Sequence, residues 1–410
     1  MRRKDGVHSP KNELRISRVD KPVSSQENSS EQAKAAIGFR EELSQRADEI
    51  EKLRRLPADI SKKLAAAGLY RTMIPEAYGG LEFSPAENLQ IFEILAEADA
   101  STAWCVFIAA TSGTILANIP ESAAKEVFCR PDISLAGVVA PMGRADKTDG
   151  GFIVNGEWQW GSHTQNADWI AGGCRLFDHN EPMLLGDGTP QTHMMLARTD
   201  EIEFLDTWDV SGLSGTGSTN FAMRDVFIPE DRAVGYLPDK PLARPLYLFP
   251  QFGLLALGIA GVSMGIARSA INELISLATD KTPQGSSRSL ANRPATQSSV
   301  AKAEASLASS RHYLYAVIEL AWQAACGEGR LSTEHKRDLR LATTHATHAC
   351  AEIVDSMYNL GGGTSVYRRS KLQRLFRDIH VATQHAMVGI NTLELTGRLF
   401  LGLETNTSML

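Results

Sequence analysis

Two short segments in the middle of the chain carry most of its chemistry. One runs from Asn155 to Trp169 (NGEWQWGSHTQNADW), the other from Ser211 to Pro229 (SGLSGTGSTNFAMRDVFIP). They place Trp158, Trp160 and Trp169 close to the hydroxyls of Ser162, Thr164, Thr216 and Ser218, which are expected to be exposed. Aromatic walls with small hydrogen-bonding residues suit a flat, amphipathic ring held against backbone. The Gly215–Ser218 loop adds free backbone N–H groups, which can hold ring edges or phosphate oxygens.

A second set of reactive side chains lies near the other end. Asp378 and His385 are seven residues apart. On one helix they share a face about 10 Å apart along the axis, lining a cleft without touching. An imidazole has a pKa near 6.5, suited to taking a proton from a phenol near neutral pH. His380 is the second histidine of this stretch. His345, His348 and Glu352 share a helix face, but no matching Glu-x-x-His motif supplies a second half-site, so no metal is expected.

Helical periodicity dominates on both sides of these segments. Residues 31–130 read as an N-terminal helical domain, with Pro57 breaking the first helix and Asp99 or Ser101 capping the apolar one that starts near Thr102. Residues 131–240 show short alternating runs between Gly, Asp, Asn and Pro, expected to form a central antiparallel β-barrel or sandwich. Asn155-Gly156 is a hairpin-turn signal within it. Residues 241–410 read as a four-helix bundle, with helices at about 248–279, 296–326, 332–359 and 370–402. Residues 1–30 are expected to be a polar, mobile tail. The order helices, β-domain, helices predicts an α+β protein.

Composition narrows the function classes. The chain has 410 residues, 43% of them hydrophobic, and a formal net charge of −6, which leaves no basic footprint for nucleic acid. Five scattered cysteines without a CxxC pair suit a reducing cytoplasm. The charged N-terminal stretch is no secretory signal. The apolar stretch Leu246–Ala278 is interrupted by Pro250, Gln251, Arg268, Asn272 and Glu273, and is expected to be a buried bundle helix, with no membrane involved.

Several motifs, in order, resemble the acyl-CoA dehydrogenase fold over roughly residues 31–404. They are Ala98–Trp104, Asn155–Ser162 followed by Ala167-Asp168-Trp169, Gly212–Ser218 followed by Asp225–Pro229, and Leu372–Asp378. The chain is still more similar to the flavin-dependent monooxygenase branch, the oxygenase components of two-component systems. Many dehydrogenases carry their proton-abstracting glutamate after the Arg-Asp pair. Here Ala386 falls at that position, beside His385, and alanine cannot take a proton.

The resemblance implies an oxygenase that takes reduced FMN or FAD as a diffusible cofactor from a separate flavin reductase. It would react with O2 through a C4a-hydroperoxyflavin and oxygenate a small aromatic or heterocyclic substrate. No GxGxxG lies between a strand and a helix, so NAD(P)H is not expected to be used directly. The resemblance makes Ser162 the hydroxyl near flavin N5 and His385 its catalytic partner. Trp160, Thr216, Gly217, Ser218, Arg288, Arg293, Arg374 and Arg377 become candidate flavin contacts, the arginines at 288 and 293 across a subunit boundary of a homotetramer. Trp104, Thr111, Ser112, His380 and Asp378 become candidate substrate contacts. Several aromatic hydroxylases of the branch have a histidine on the fourth helix. Here that helix offers Thr111 and Ser112 instead, which sets the chain apart from a simple phenol hydroxylase. Two other readings are an FAD-dependent acyl-CoA dehydrogenase with a relocated base, and a non-catalytic helical assembly protein.

Overall fold

The computed structural model describes residues 30–235 and 242–410. The expected N-terminal tail therefore lies outside the described residues, apart from Ser30. Five helices open the fold: α1 (Glu31–Leu53), α2 (Ala58–Ala66), α3 (Pro85–Ala98), α4 (Ala100–Ile115) and α5 (Glu121–Val127). Their starts obey local chemistry. Ser84 and Glu87 form a reciprocal capping box on α3, and the Asp99 carboxylate accepts the Thr102 N–H to start α4. The short helix α5 has no counterpart in the sequence reading. At 7 residues it spans too few turns for an apolar period to register.

The middle of the chain forms a sheet of β1 (Leu135–Thr148), β2 (Gly151–Trp158), β3 (Trp169–Asp178), β4 (Glu181–Pro182), β5 (Thr192–Arg198), β6 (Glu203–Leu205), β7 (Asn220–Pro229) and β8 (Ala233–Gly235). The strand order is β6-β7-β2-β1-β3-β5-β8, with β4 added to β3. The sheet is mixed, which corrects the antiparallel expectation: β1 pairs with β3 in parallel. The reason is topological. The chain runs up β1 and down β2, then crosses to the far side of β1 before running up β3. The crossing segment, residues 159–168, is the one that carries Ser162.

Asn155-Gly156 does not turn the chain. It lies inside β2, and the hairpin turns at Asp149-Gly150. Both residues have other tasks. Asn155 exchanges two hydrogen bonds with Asp225, whose φ is +52°. Gly156 lies under the Trp158 indole, where a Cβ would sit 2.9 Å from the ring. Trp158 is fully buried, donates to the Gly173 carbonyl at 2.8 Å and stacks on Phe221. Burying such a ring stabilises the sheet by about 1.5–3 kcal/mol. Trp158 and Trp169 are therefore core residues and not walls of a ring site.

The chain then returns to helices α6 (Gln251–Asp280), α7 (Pro294–Glu328) and α8 (Thr333–Gly361). Helix α6 is long and apolar enough to cross a membrane, but 89% of its most apolar window is buried inside the protein. The expected fourth long helix is broken into α9 (Lys371–Ala382) and α10 (Asn391–Phe400). The backbone groups between them find partners off the helix. His385 Nδ1 accepts the Met387 N–H, the Arg340 guanidinium takes the Met387 carbonyl and His348 meets the Val388 carbonyl. Asp378 and His385 thus do not share a helix face, because His385 sits in the turn after α9. One core unites α1, α3, α4 and α6–α9, and a second fills the sheet around Trp158.

Candidate active site

The two central segments meet through backbone hydrogen bonds. Gly161 N–H donates to Thr219 O and His163 N–H to Thr216 O, both at 3.0 Å. Ser162 sits between Trp160 (φ +63°) and His163 (φ +66°), two left-handed residues that are rarely tolerated without a glycine. His163 is held there by its ring. Its Nε2 meets Ser134 Oγ at 2.6 Å, and it packs against Tyr70. Burial drives its pKa down to about 3, so this anchor is neutral.

The hydroxyls are buried, not exposed, and they form a directed chain. Thr216 donates to Leu213 O at 2.7 Å. A hydroxyl has one hydrogen, so Ser218 must donate to Thr216 at 2.6 Å, and Ser162 to Ser218 at 2.6 Å. The Trp104 indole N–H completes the line by donating to Ser162 at 3.1 Å. The Ser162 proton is committed inward, and its remaining outward capacity is one lone pair. Thr164, also buried, instead donates to Gly161 O.

Trp104, on α4, also connects Ser162 to the C-terminal turn. Its ring lies 5.9 Å from that of His385. Three elements distant in sequence thus converge: the crossing segment, α4 and the turn after α9. Burial, with a smaller contribution from the Arg340 cation, pushes the His385 pKa down to about 4. Ala386 stands exposed beside it.

The Gly212–Ser218 loop is pinned to α9. Asp378 is buried and accepts the Leu213 N–H at 2.6 Å. A Cβ on Gly212 would fall 2.4 Å from the Arg377 carbonyl, so only glycine lets the loop lie against the helix here. Burial, reinforced by Asp99 nearby, raises the Asp378 pKa to about 7 against the pull of the Leu213 N–H and of Arg374 and Arg377. A carboxyl raised in the folded state adds stability at acid pH that is lost as pH climbs from about 4 to about 7. The slope is at most about 1.4 kcal/mol per pH unit. Asp378→Asn keeps an acceptor for Leu213 without the charge. It is expected to unfold at a higher temperature than wild type at pH 8 and to lose that component of pH dependence, as read by thermal melts at several pH values. Equal melting shifts at all pH values would refute this assignment.

The remaining sequence candidates divide. Trp160 is 69% exposed and free to face a ligand, and Gly217 adopts φ +57° at the loop tip. Thr111 is turned back onto the Phe107 carbonyl, while Ser112 is buried without a hydrogen bond among the described residues. Arg374 pairs with Asp48 at 2.5 Å. Arg377 pairs with Glu51 at 2.6 Å and donates to Ser211 O, so both tie α9 to α1, and Arg377 also ties it to the loop. His380 pairs with Asp355 on α8 at 2.8 Å and lies edge-on to Phe376, a contact between α8 and α9. Arg288 and Arg293 are exposed in the loop after α6, and within the described residues neither guanidinium is paired or bonded to the Ser162 cluster.

Two cavities lie elsewhere. One, of about 280 Å³, is lined by Arg40, Glu97, Asn272, Glu273 and Lys371, which largely satisfy one another. The other, of about 350 Å³, lies between Tyr313, His345, His348 and Leu393. Its histidines face Tyr313 and the Val388 carbonyl, and no metal-capable cluster of three or more His, Cys, Asp or Glu occurs among the described residues. The Ser162–Trp104–His385 convergence is the better candidate, because its polar atoms retain unused capacity. Arg340 and Met387 were missed by the sequence reading. An arginine inside an otherwise helical run carries no signal of burial.

Comparison with known proteins identifies the family. Residues 25–131 match the model of the acyl-CoA dehydrogenase N-terminal domain, and residues 257–389 that of the acyl-CoA dehydrogenase C-terminal domain. The chain is 32% identical to an indole-3-acetate monooxygenase of Acinetobacter baumannii, over 84% of this chain and 87% of that protein. It is 27% identical to the oxygenase component of p-hydroxyphenylacetate 3-hydroxylase from the same species, over 90% and 88%. Among solved structures it resembles XiaF from Streptomyces sp. in complex with FADH2 and glycerol. That match has a TM-score of 0.83 and 25% identity, over 91% of this chain and 96% of that one.

Proposed function

The chain belongs to the acyl-CoA dehydrogenase family, and from that membership we propose that it is the oxygenase component of a two-component flavin-dependent monooxygenase. It takes reduced FMN or FAD from a separate reductase, and oxygenates a small aromatic or heterocyclic molecule with O2. The observation that carries this reading is the turn after α9, where His385 and Ala386 stand in place of a carboxylate base. The dehydrogenase alternative needs a free carboxylate. The two buried near the site are both engaged, Asp99 by the start of α4 and Asp378 by Leu213.

The site's residues fit the flavin. A reduced ring carries an N–H at N5 that an oxidised ring lacks, and the lone pair left on Ser162 suits that donor. Bound reduced flavin supplies the activation of oxygen. The chain's own part is to present Ser162 and Trp160 to the ring, to place His385 toward the substrate and to keep water out. The exposed guanidinium groups of Arg288 and Arg293 suit a flavin phosphate, reached across a subunit boundary of a homotetramer. Exposed Ile390, Leu393, Phe400 and Leu401 on the C-terminal segment support such an assembly. Five unpaired cysteines suit a cytoplasmic protein.

The purified chain is expected to leave NAD(P)H unoxidised, and to yield oxygenated product once a flavin reductase, flavin and oxygen are added. Stopped-flow mixing of protein and reduced flavin with oxygen should reveal a transient absorbance distinct from both the reduced and oxidised spectra. NAD(P)H turnover without reductase, or anaerobic bleaching of bound flavin by an acyl-CoA, would refute the proposal.

A further inference from the structure

We propose that His385 is held as a neutral hydrogen-bond donor with its proton on Nε2, and that Arg340 is the positioning residue that holds it so. The Met387 N–H lies 3.2 Å from His385 Nδ1. An amide N–H only donates, so Nδ1 must offer a lone pair. A neutral imidazole then has one place left for its hydrogen, Nε2. No group among the described residues takes that nitrogen, and the residue is not fully buried, so Nε2–H is what His385 offers to an incoming molecule. It is a donor to oxygen or nitrogen lone pairs and cannot take a phenol proton. This reverses the role expected from the ordinary pKa of histidine.

Arg340 enters through the same residue, Met387. Its Nη1 donates to the Met387 carbonyl at 2.6 Å, and its Nη2 to the Met409 carbonyl at 2.6 Å. Met387 is thus gripped on its carbonyl by Arg340 and on its N–H by His385. Arg340 is 1% exposed and has no carboxylate partner among the described residues. A buried cation without a counter-charge is costly, and an apolar residue would pack at that point of α8 more cheaply. What the guanidinium adds is two carbonyl contacts and a positive field at the imidazole. Both act in one direction. A second proton on His385 would need to sit on Nδ1, against the Met387 N–H and beside the Arg340 charge. Other groups around the turn look elsewhere: His348 to Val388 O, His380 to Asp355 and Asp378 to Leu213.

The tautomer and the role of Arg340 are properties of the protein alone; the use of the donor toward substrate rests on the monooxygenase reading. The test therefore needs neither flavin nor substrate. Histidine C2–H exchange, followed by mass spectrometry of the full chain from acid to mildly alkaline pH, should give His385 a midpoint near 4. A midpoint near the ordinary 6.5 overturns the proposal. Neutron diffraction at neutral pD should place deuterium on Nε2 and none on Nδ1, and the opposite pattern overturns it. Arg340→Met should raise the exchange midpoint by about one pH unit. An unchanged midpoint removes Arg340 from the account. Should that variant fail to fold, Arg340→Lys decides. It keeps the charge but cannot span both carbonyls, so a smaller rise supports the positioning role and none overturns it.

Discussion

His385→Ala is expected to lower product formation by about 100-fold while reduced flavin is still oxidised by oxygen, so that hydrogen peroxide replaces product. Loss of one positioned donor in a water-poor site typically costs about that much. The side chain stands beside Trp104 at the meeting of three elements, and no hydrogen-bond partner among the described residues occupies its Nε2. The variant also leaves the Met387 N–H without its acceptor, a cost of about 1–3 kcal/mol that a thermal melt separates from the chemical effect. Product and peroxide are quantified together under saturating reduced flavin. Undiminished product from a folded His385→Ala protein would remove the residue from the mechanism.

Ser162→Ala is expected to lower the product-to-peroxide ratio by about 10-fold and to weaken binding of reduced flavin more than that of oxidised flavin. With Ser162 donating inward to Ser218, only an acceptor faces outward, and only the reduced ring brings a hydrogen to it. The Trp104 N–H loses its partner as well, so a stability loss of about 1–3 kcal/mol accompanies the change. Ser218→Ala makes the prediction signed. It frees the Ser162 hydrogen to turn outward, and should tighten the binding of oxidised flavin. Fluorescence titration with each redox state under anaerobic conditions reads both effects. If Ser162→Ala weakens the two states equally, the chain of donors does not set redox preference.

Much of the architecture could be read without coordinates, because it rests on local signals. Pro57 opens α2 after α1 has already ended at a left-handed Arg54, Asp99 caps α4 and the apolar period of α6 places it in the core. Misreadings came where a local signal had a second, non-local use. Asn155-Gly156 has the composition of a turn, yet its glycine is needed beneath Trp158 and its asparagine by Asp225. The segment after Arg377 keeps a helical pattern, yet it breaks after Ala382, where Arg340 takes the carbonyl of Met387, 47 residues away in sequence. The hydroxyls look solvent-facing by composition, and only their mutual hydrogen bonds make burial tolerable.

Residue types and their order were enough to define the helical–sheet–helical plan and the family resemblance, and to nominate Ser162 and His385 as candidates. Those features depend on periodicity, capping and short motifs, which act over a few residues. Which side of β1 receives β3, which way the hydroxyl protons point and which nitrogen of His385 carries its hydrogen were decided only by the folded chain. Each depends on one donor or acceptor brought from a distant element, and hydrogen bonds of that kind leave no periodic trace in the sequence.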